Sequence, residues 1–394
     1  MSRAFNKAPY PAPLPLEQVK VFPLPTRKSL SEVDKILVDP DSDPAPISES
    51  QKNLVRAAAQ SILKAREADA TALLIYGAHL LRNGAASILE RMMAEGYVTH
   101  LATNGAGTIH DWEYAYLGRS TENVEQNVAT GTFGTWDETA RNIHLALYAG
   151  SLRGDGYGQS LGRFIAEDGA QFPTRAELES AIRTEPAHPL TAARADLLQA
   201  MQRGLAPEGA YPLRHNWKQA SILASAFRHG VPLTVHPGIG YDIISNHPIF
   251  NGALIGRAAT HDFKLFGGSL QKLDNGVVLS VGSAIMGPQV FEKSLSCVNN
   301  LRLQGGSKVV HGHSIYVVDL QDGGNWDWKQ GEPPKTNRPR PIRPITFDSA
   351  KAFRAWAAQW NTFSATIFPS STTFTASSAP YNWAVYPQNS VRVR

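Results

Sequence analysis

The sequence predicts an α/β fold, a parallel sheet with helices packed on both faces. Three observations predict it. Short runs that are apolar throughout end in glycine, as strands buried on both faces do. Segments with helical spacing alternate with those runs. The same order recurs in two separated stretches, which is how alternating strands and helices build a parallel sheet.

The elements follow in order. Residues 1–48 carry many prolines, among them Pro9, Pro11, Pro13 and Pro15, and read as an extended arm that wraps the body or a neighbouring subunit. Leu54, Ala57, Ala58, Ile62 and Leu63 place a helix over 50–67. The run 71–76 is a buried strand ending at Gly77, followed by a helix over 85–94, a strand over 98–102 and a glycine-rich turn over 103–107. The order returns with a helix at 217–229 and a strand at 231–235 that ends in His236-Pro-Gly238. Then come a strand at 276–281 ending in Gly282-Ser283, a helix at 289–303 and a strand within 308–319. The middle, 120–215, reads as helical and loop-like. The expected organisation is an arm (1–48), one nucleotide-binding domain (49–332) and a basic, Pro- and Ser/Thr-rich extension (333–394).

Composition excludes several classes. The chain of 394 residues has 42% hydrophobic residues, enough for a packed core, and a single cysteine, which excludes a disulfide scaffold and a cysteine zinc site. The formal charge is +4. Eight basic residues and one acid lie in 333–394, so residues 1–332 hold 30 basic against 33 acidic. The positive excess belongs to the extension, and no nucleic-acid-binding surface is expected on the body. No apolar run reaches the roughly 18 residues of a membrane span. With no signal-peptide core either, a cytoplasmic location is expected.

Ligands of parallel sheets sit beyond the carboxyl ends of the strands, so the residues there carry the functional reading. They are Gly77-Ala78-His79, Thr103-Asn104-Gly105-Ala-Gly107, His236 to Gly240, Gly282-Ser283 and Asp319 to Asp322. Glycine admits a close ligand, its amides receive phosphate, and Asn, Ser, Thr and Asp bind hydroxyls or amides. Together these read as a nucleotide site; tight turns alone also use glycine. The usual dinucleotide fingerprint is interrupted, with His110 where a third glycine belongs. Gly158-Gln-Ser160-Leu-Gly162 matches the nucleophile-elbow pattern but lacks a strand before it, and reads better as a glycine-rich loop. His311 and His313 alternate, as metal ligands on a strand can, but no carboxylate pattern joins them, and no metal is expected. Asp319, Asp322 and Asp327 beside Trp326 and Trp328 suit an organic cation, and Lys329 stands next to them as a candidate imine-forming lysine. A solvated acidic turn fits the same residues.

Tyr76-Gly-Ala-His-Leu80, Asn83-Gly84, the stretch from Val98 to Gly107, Asp111 and Tyr116-Leu-Gly118 together resemble deoxyhypusine synthase. Val231-Pro232, Asp242, Gly282, Asn299 and Leu301 extend the resemblance over roughly 70–320. It implies a Rossmann-like fold, NAD as cofactor, a small polyamine substrate, transfer through a lysine imine to a protein lysine acceptor, and a homotetramer. It also implies that Ala78, His79, Thr103, Asn104, Gly105, Gly107, Gly282 and Ser283 line NAD. Asp242 would meet the amine. On the residues themselves, Asp322 and Trp326 are the candidate partners of that amine, and His110 or His236 is the candidate general base. The family's paired glutamates are Ile109 and His110 here, its catalytic histidine is replaced by Met286-Gly-Pro288, and its Trp-Gly-Lys segment has no match. The expected function is therefore NAD-dependent hydride transfer on a small amine. The alternatives are a non-catalytic nucleotide-binding homologue and a serine hydrolase using Ser160.

Overall fold

The computed structural model describes residues 11–283, 285–318 and 363–365. Five parallel strands form the main sheet: β1 (Ala72–Tyr76), β2 (His100–Asn104), β3 (Leu233–His236), β4 (Val277–Val281) and β5 (Ser314–Val318). Their order is β3-β2-β1-β4-β5, and Phe363–Ala365 pairs in parallel beyond β5. The chain walks outward from β1 to β3, then returns to lay β4 on the other side of β1. That reversal is the topological switch of a doubly wound, Rossmann-like α/β sheet.

The two faces follow from strand alternation. Leu74 and Tyr76 face a core shared with α3 (Ala86–Ala94), α4 (Gly105–Leu117), α5 (Asp137–Ser151), α6 (Tyr157–Ala166) and α7 (Ile222–His229). Leu73 and Ile75 face α8 (Gly252–Leu270) and α9 (Met286–Gln304), through Phe266, Leu270, Phe291 and Leu295. The helix preceding the sheet, α1 (Glu49–Glu67), begins at a capping box, and the short α2 (Ala78–Arg82) follows β1. Ser48 Oγ accepts from the Gln51 amide and the Gln51 side chain accepts from the Ser48 amide.

Residues 105–232 form the long connection from β2 to β3. It is mostly helical, as expected, and also contains an antiparallel pair, Gly169–Phe172 with Gly209–Pro212. Its helix α6 lies along the outer edge of β3. Asp262 of α8 fastens this contact, accepting from the amides of both Gly158 (3.0 Å) and Val235 (2.7 Å).

The described part of the proline-rich arm packs on the body. Phe22 exchanges backbone hydrogen bonds with Thr135 and Asp137, and Ser31–Glu32 pairs with Arg119–Ser120. Arg27 is 4% exposed and makes a bidentate ion pair with Glu113 of α4, at 2.8 and 2.7 Å.

Several expected boundaries move: the strand expected at 231–235 is Leu233–His236, the helix expected at 217–229 starts at Ile222, and two changes fall at β2. The second strand starts at His100 rather than residue 98, and the expected turn over 103–107 is not a loop: Thr103 and Asn104 finish β2, and Gly105–Gly107 form the first turn of α4. Asn104 makes this possible as N-cap, its Oδ1 accepting from the Gly107 amide at 2.9 Å. Asn104→Ala should cost about 1 kcal/mol in urea unfolding; a loss under about 0.3 kcal/mol would show the cap to be idle.

Candidate functional site

The carboxyl ends of β1 to β4 bring together Ala78, His79, Thr103, Asn104, Gly105, His236, Asp242, Gly282 and Ser283. At the switch the turns after β1 and β4 touch through their backbones. The Gly77 amide donates to Val281 O at 3.1 Å, and a Cβ on Gly77 would lie 2.2 Å from Gly282 O. Gly282 has φ +61, a left-handed conformation that favours glycine, with His79 Cβ 3.7 Å from where its own Cβ would be. Ser283 Oγ accepts from the Gly287 amide at 3.1 Å, tying this turn to the start of α9.

Gly105 and Gly107 have internal reasons to be glycine. A Cβ at Gly105 would fall 2.0 Å from Asp242 Oδ2, and one at Gly107 would fall 2.1 Å from Thr103 Oγ1. Thr103 itself donates to Tyr76 O at 3.0 Å and is fully buried. These internal contacts explain why both positions are glycine and fix Thr103 in place at the end of β2; that the three line a cofactor remains an expectation from the resemblance.

Asp242 is the most unusual group at the strand ends. Its carboxylate lies against the first turn of α4, 5% exposed, and Oδ2 accepts from the Gly238 amide at 2.7 Å. No cation pairs with it among the described residues. Burial pushes its pKa up to about 6, against a smaller pull from the Gly238 hydrogen bond. An anion on the first turn of α4 also bars phosphate from that helix terminus.

The two candidate bases differ in placement. His236 ends β3, is 8% exposed and stands edge-on to Phe266, with ring centroids 5.3 Å apart. Burial lowers its pKa to about 4, so it is neutral at pH 7. His110 is not at the strand ends but in the second turn of α4. Its Nδ1 lies 2.7 Å from Ser120 Oγ, which donates in turn to Glu113 Oε2 at 2.5 Å. Because the Ser120 proton is committed to Glu113, Ser120 accepts from His110, which makes His110 the Nδ1–H tautomer. Burial lowers its pKa to about 4, partly opposed by Glu113.

Other expectations are corrected. Asp111, beside His110, is a structural cap: it accepts from Ser221 Oγ and from the amides of Ile222 and Leu223 at the start of α7. Ser160 is 1% exposed inside α6 and donates to Gly156 O, so no nucleophile elbow exists and the hydrolase alternative falls. His311 and His313 precede β5 rather than alternate on it, and among the described residues no group of three His, Cys, Asp or Glu gathers to hold a metal. Asp322, Trp326 and Lys329 lie outside the described residues. The sequence reading missed Arg27, Glu113 and His100. Only His100 carried a local signal, an ionisable residue inside an apolar strand.

No family model matches the chain, and no curated protein matches it either. Among solved structures it is similar to ArgZ, an arginine dihydrolase from the ornithine–ammonia cycle in cyanobacteria, at 14% identity and TM-score 0.34, over 71% of this chain and 28% of that one. It is similar also to AgrE in a ternary complex with ornithine and NAD+, at 14% identity and TM-score 0.33, over 71% and 29%. A third is a conserved putative LOR/SDH protein from Methanococcus maripaludis S2, at 12% identity and TM-score 0.36, over 88% and 71%. The chain spans under a third of the length of the first two. None of the three is a deoxyhypusine synthase. At these scores the fold assignment rests on the strand order itself.

Proposed function

We propose that the protein is an NAD-binding enzyme that takes hydride from a small amine held by Asp242. The observation that carries this is the Asp242 carboxylate, buried at the strand ends with one amide donor and no cation beside it among the described residues. A buried anion without a partner is costly, and an ammonium group is the ligand that relieves it. NAD suits the switch point between β1 and β4, where Gly282 leaves space and the Ala78 and Ser283 turns supply polar backbone. When bound, its nicotinamide supplies the hydride acceptor. The chain's own work is to hold the ammonium at Asp242, exclude water through the packed turns, and take a proton at His236. The narrower reading, alkyl-amine transfer of deoxyhypusine synthase type to a protein lysine in a homotetramer, is supported only by the sequence resemblance. It needs a lysine such as Lys329.

The test uses the full chain and Asp242→Asn. NAD should bind both saturably by calorimetry, while spermidine and related amines should bind and reduce NAD only in the parent. Stability separates this from misfolding. The Asp242 carboxyl prefers its proton more in the folded than in the unfolded state, so its presence costs stability as pH rises from about 4 through 6. Asp242→Asn should therefore gain on the order of 2–3 kcal/mol at pH 8 and little at pH 4. Absence of NAD binding at millimolar concentration would refute the cofactor reading; equal amine binding by both proteins would refute the role of Asp242.

A further inference from the structure

The helix α8 face of the sheet, packed mainly with apolar side chains, carries a hydrogen-bonded line of four polar groups. His236 Nε2 lies 3.2 Å from Thr234 Oγ1, and Thr234 Oγ1 lies 3.0 Å from His100 Nε2. On the other side of that ring His100 Nδ1 lies 2.7 Å from Ser269 Oγ. Phe266 stands edge-on to both rings and separates them from bulk water on the helix side. The line starts at the carboxyl end of β3. It runs back along β3 and β2 and stops at Ser269, which is half-buried near the amino end of the sheet.

We propose that His236, Thr234, His100 and Ser269 form a proton relay through the sheet, in which the two histidines always hold opposite tautomers. The reasoning is one of hydrogen counting. His100 is wholly buried and its pKa falls to about 3, through burial first and the nearby His236 second; that of His236 falls to about 4. Both rings are neutral at pH 7, so each has one N–H. The Thr234 hydroxyl has one proton. If it donates to one histidine, it accepts from the other. In one state the Nε2–H of His236 donates to Thr234, Thr234 donates to His100 Nε2, and the Nδ1–H of His100 donates to Ser269. In the other state every donor and acceptor is reversed.

The transfer balances. A proton arriving at His236 Nδ1 displaces the Nε2 proton to Thr234 Oγ1. The Thr234 proton moves to His100 Nε2, the His100 Nδ1 proton moves to Ser269 Oγ, and the Ser269 proton leaves to water. One proton enters, one leaves, and no group stays charged. His236 Nδ1 makes no hydrogen bond among the described residues, so the entry atom is available. The relay's use in catalysis rests on the reading of His236 as base. Its existence does not.

The experiment is nitrogen NMR on the full chain labelled at histidine, without NAD or amine, at pH 7.5. His100→Gln and His236→Gln assign the signals. One ring should be protonated at Nδ1 and the other at Nε2. Thr234→Ser should keep this opposite pairing, and Thr234→Val should abolish it. Like tautomers in the parent would overturn the relay: with both rings Nε2–H, Thr234 would accept from both and turn its proton to Leu101 O, 3.5 Å away, and with both rings Nδ1–H, neither could donate to Thr234. Opposite pairing that survives unchanged in Thr234→Val would overturn it as well. Should the Val variant not fold, the parent and the Ser variant still decide the matter. Because no cofactor is present, failure of the relay and failure of NAD binding are separate results.

Discussion

Arg27→Met should lower the unfolding free energy by about 3–5 kcal/mol, measured by urea denaturation at pH 7. Both terminal nitrogens of Arg27 bond Glu113, whose carboxylate also accepts from Thr139 Oγ1 at 2.8 Å and from Ser120. Both charged side chains are at most 2% exposed. Removing the guanidinium leaves the carboxylate buried and uncompensated. Burial alone pushes the Glu113 carboxyl up; the Arg27 charge and hydrogen bonds outweigh it and hold it below the usual value. The parent thus gains stability from Glu113 above the unfolded carboxyl range, and loses it as pH falls through the lower folded value. In Arg27→Met the penalty should shrink as the medium is acidified and Glu113 takes a proton. Adding Glu113→Gln should recover part of the loss. Limited proteolysis should also cut the arm first in Arg27→Met. A loss below 1 kcal/mol would show the pair to be dispensable.

Gly158→Ala should cost about 3 kcal/mol, at the upper end of what overpacking does. The added Cβ would lie 1.7 Å from Leu233 O, in the backbone of β3, where no side-chain rotation gives relief. One helical turn on, a Cβ at Gly162 would lie 2.5 Å from Leu223 O in α7. The pattern that reads as a nucleophile elbow is a close-packing seam, with two glycines four residues apart on one face of α6. Gly256→Ala is the control: it lies inside α8 with nothing within 4 Å of the new atom. That substitution should gain about 0.5–1 kcal/mol. Equal effects from the two would mean that α6 does not press on β3.

The sheet was legible because its strands are apolar on both faces and its helices repeat every three to four residues, both local signals. The residues at strand ends were legible for the same reason, since Ala78, Asn104, His236 and Ser283 follow directly from where each strand stops. What the glycines of α4 are for was not legible. Gly105 answers to Asp242, 137 positions later, and a glycine required by a distant side chain looks like a glycine required by a turn. Arg27 was hidden likewise: inside a proline-rich arm it is an ordinary charge until Glu113 is placed beside it. The GxSxG motif reads locally as a loop, with a serine hydrolase as an alternative; its place in a helix is not legible because glycine lowers helix propensity and the packing that overrides it is tertiary.

The placement of α6 along β3 has a consequence for how this molecule meets others. An outermost strand normally offers a row of free amides to any extended chain that passes, which is how sheets fuse into aggregates or recruit peptides. Here the outward amide of Val235 is already spoken for by Asp262, and the Gly158 turn stands against Leu233 O. That flank is therefore closed to strand addition. Asp262→Ala should open it, and self-association that grows with concentration is the behaviour to look for.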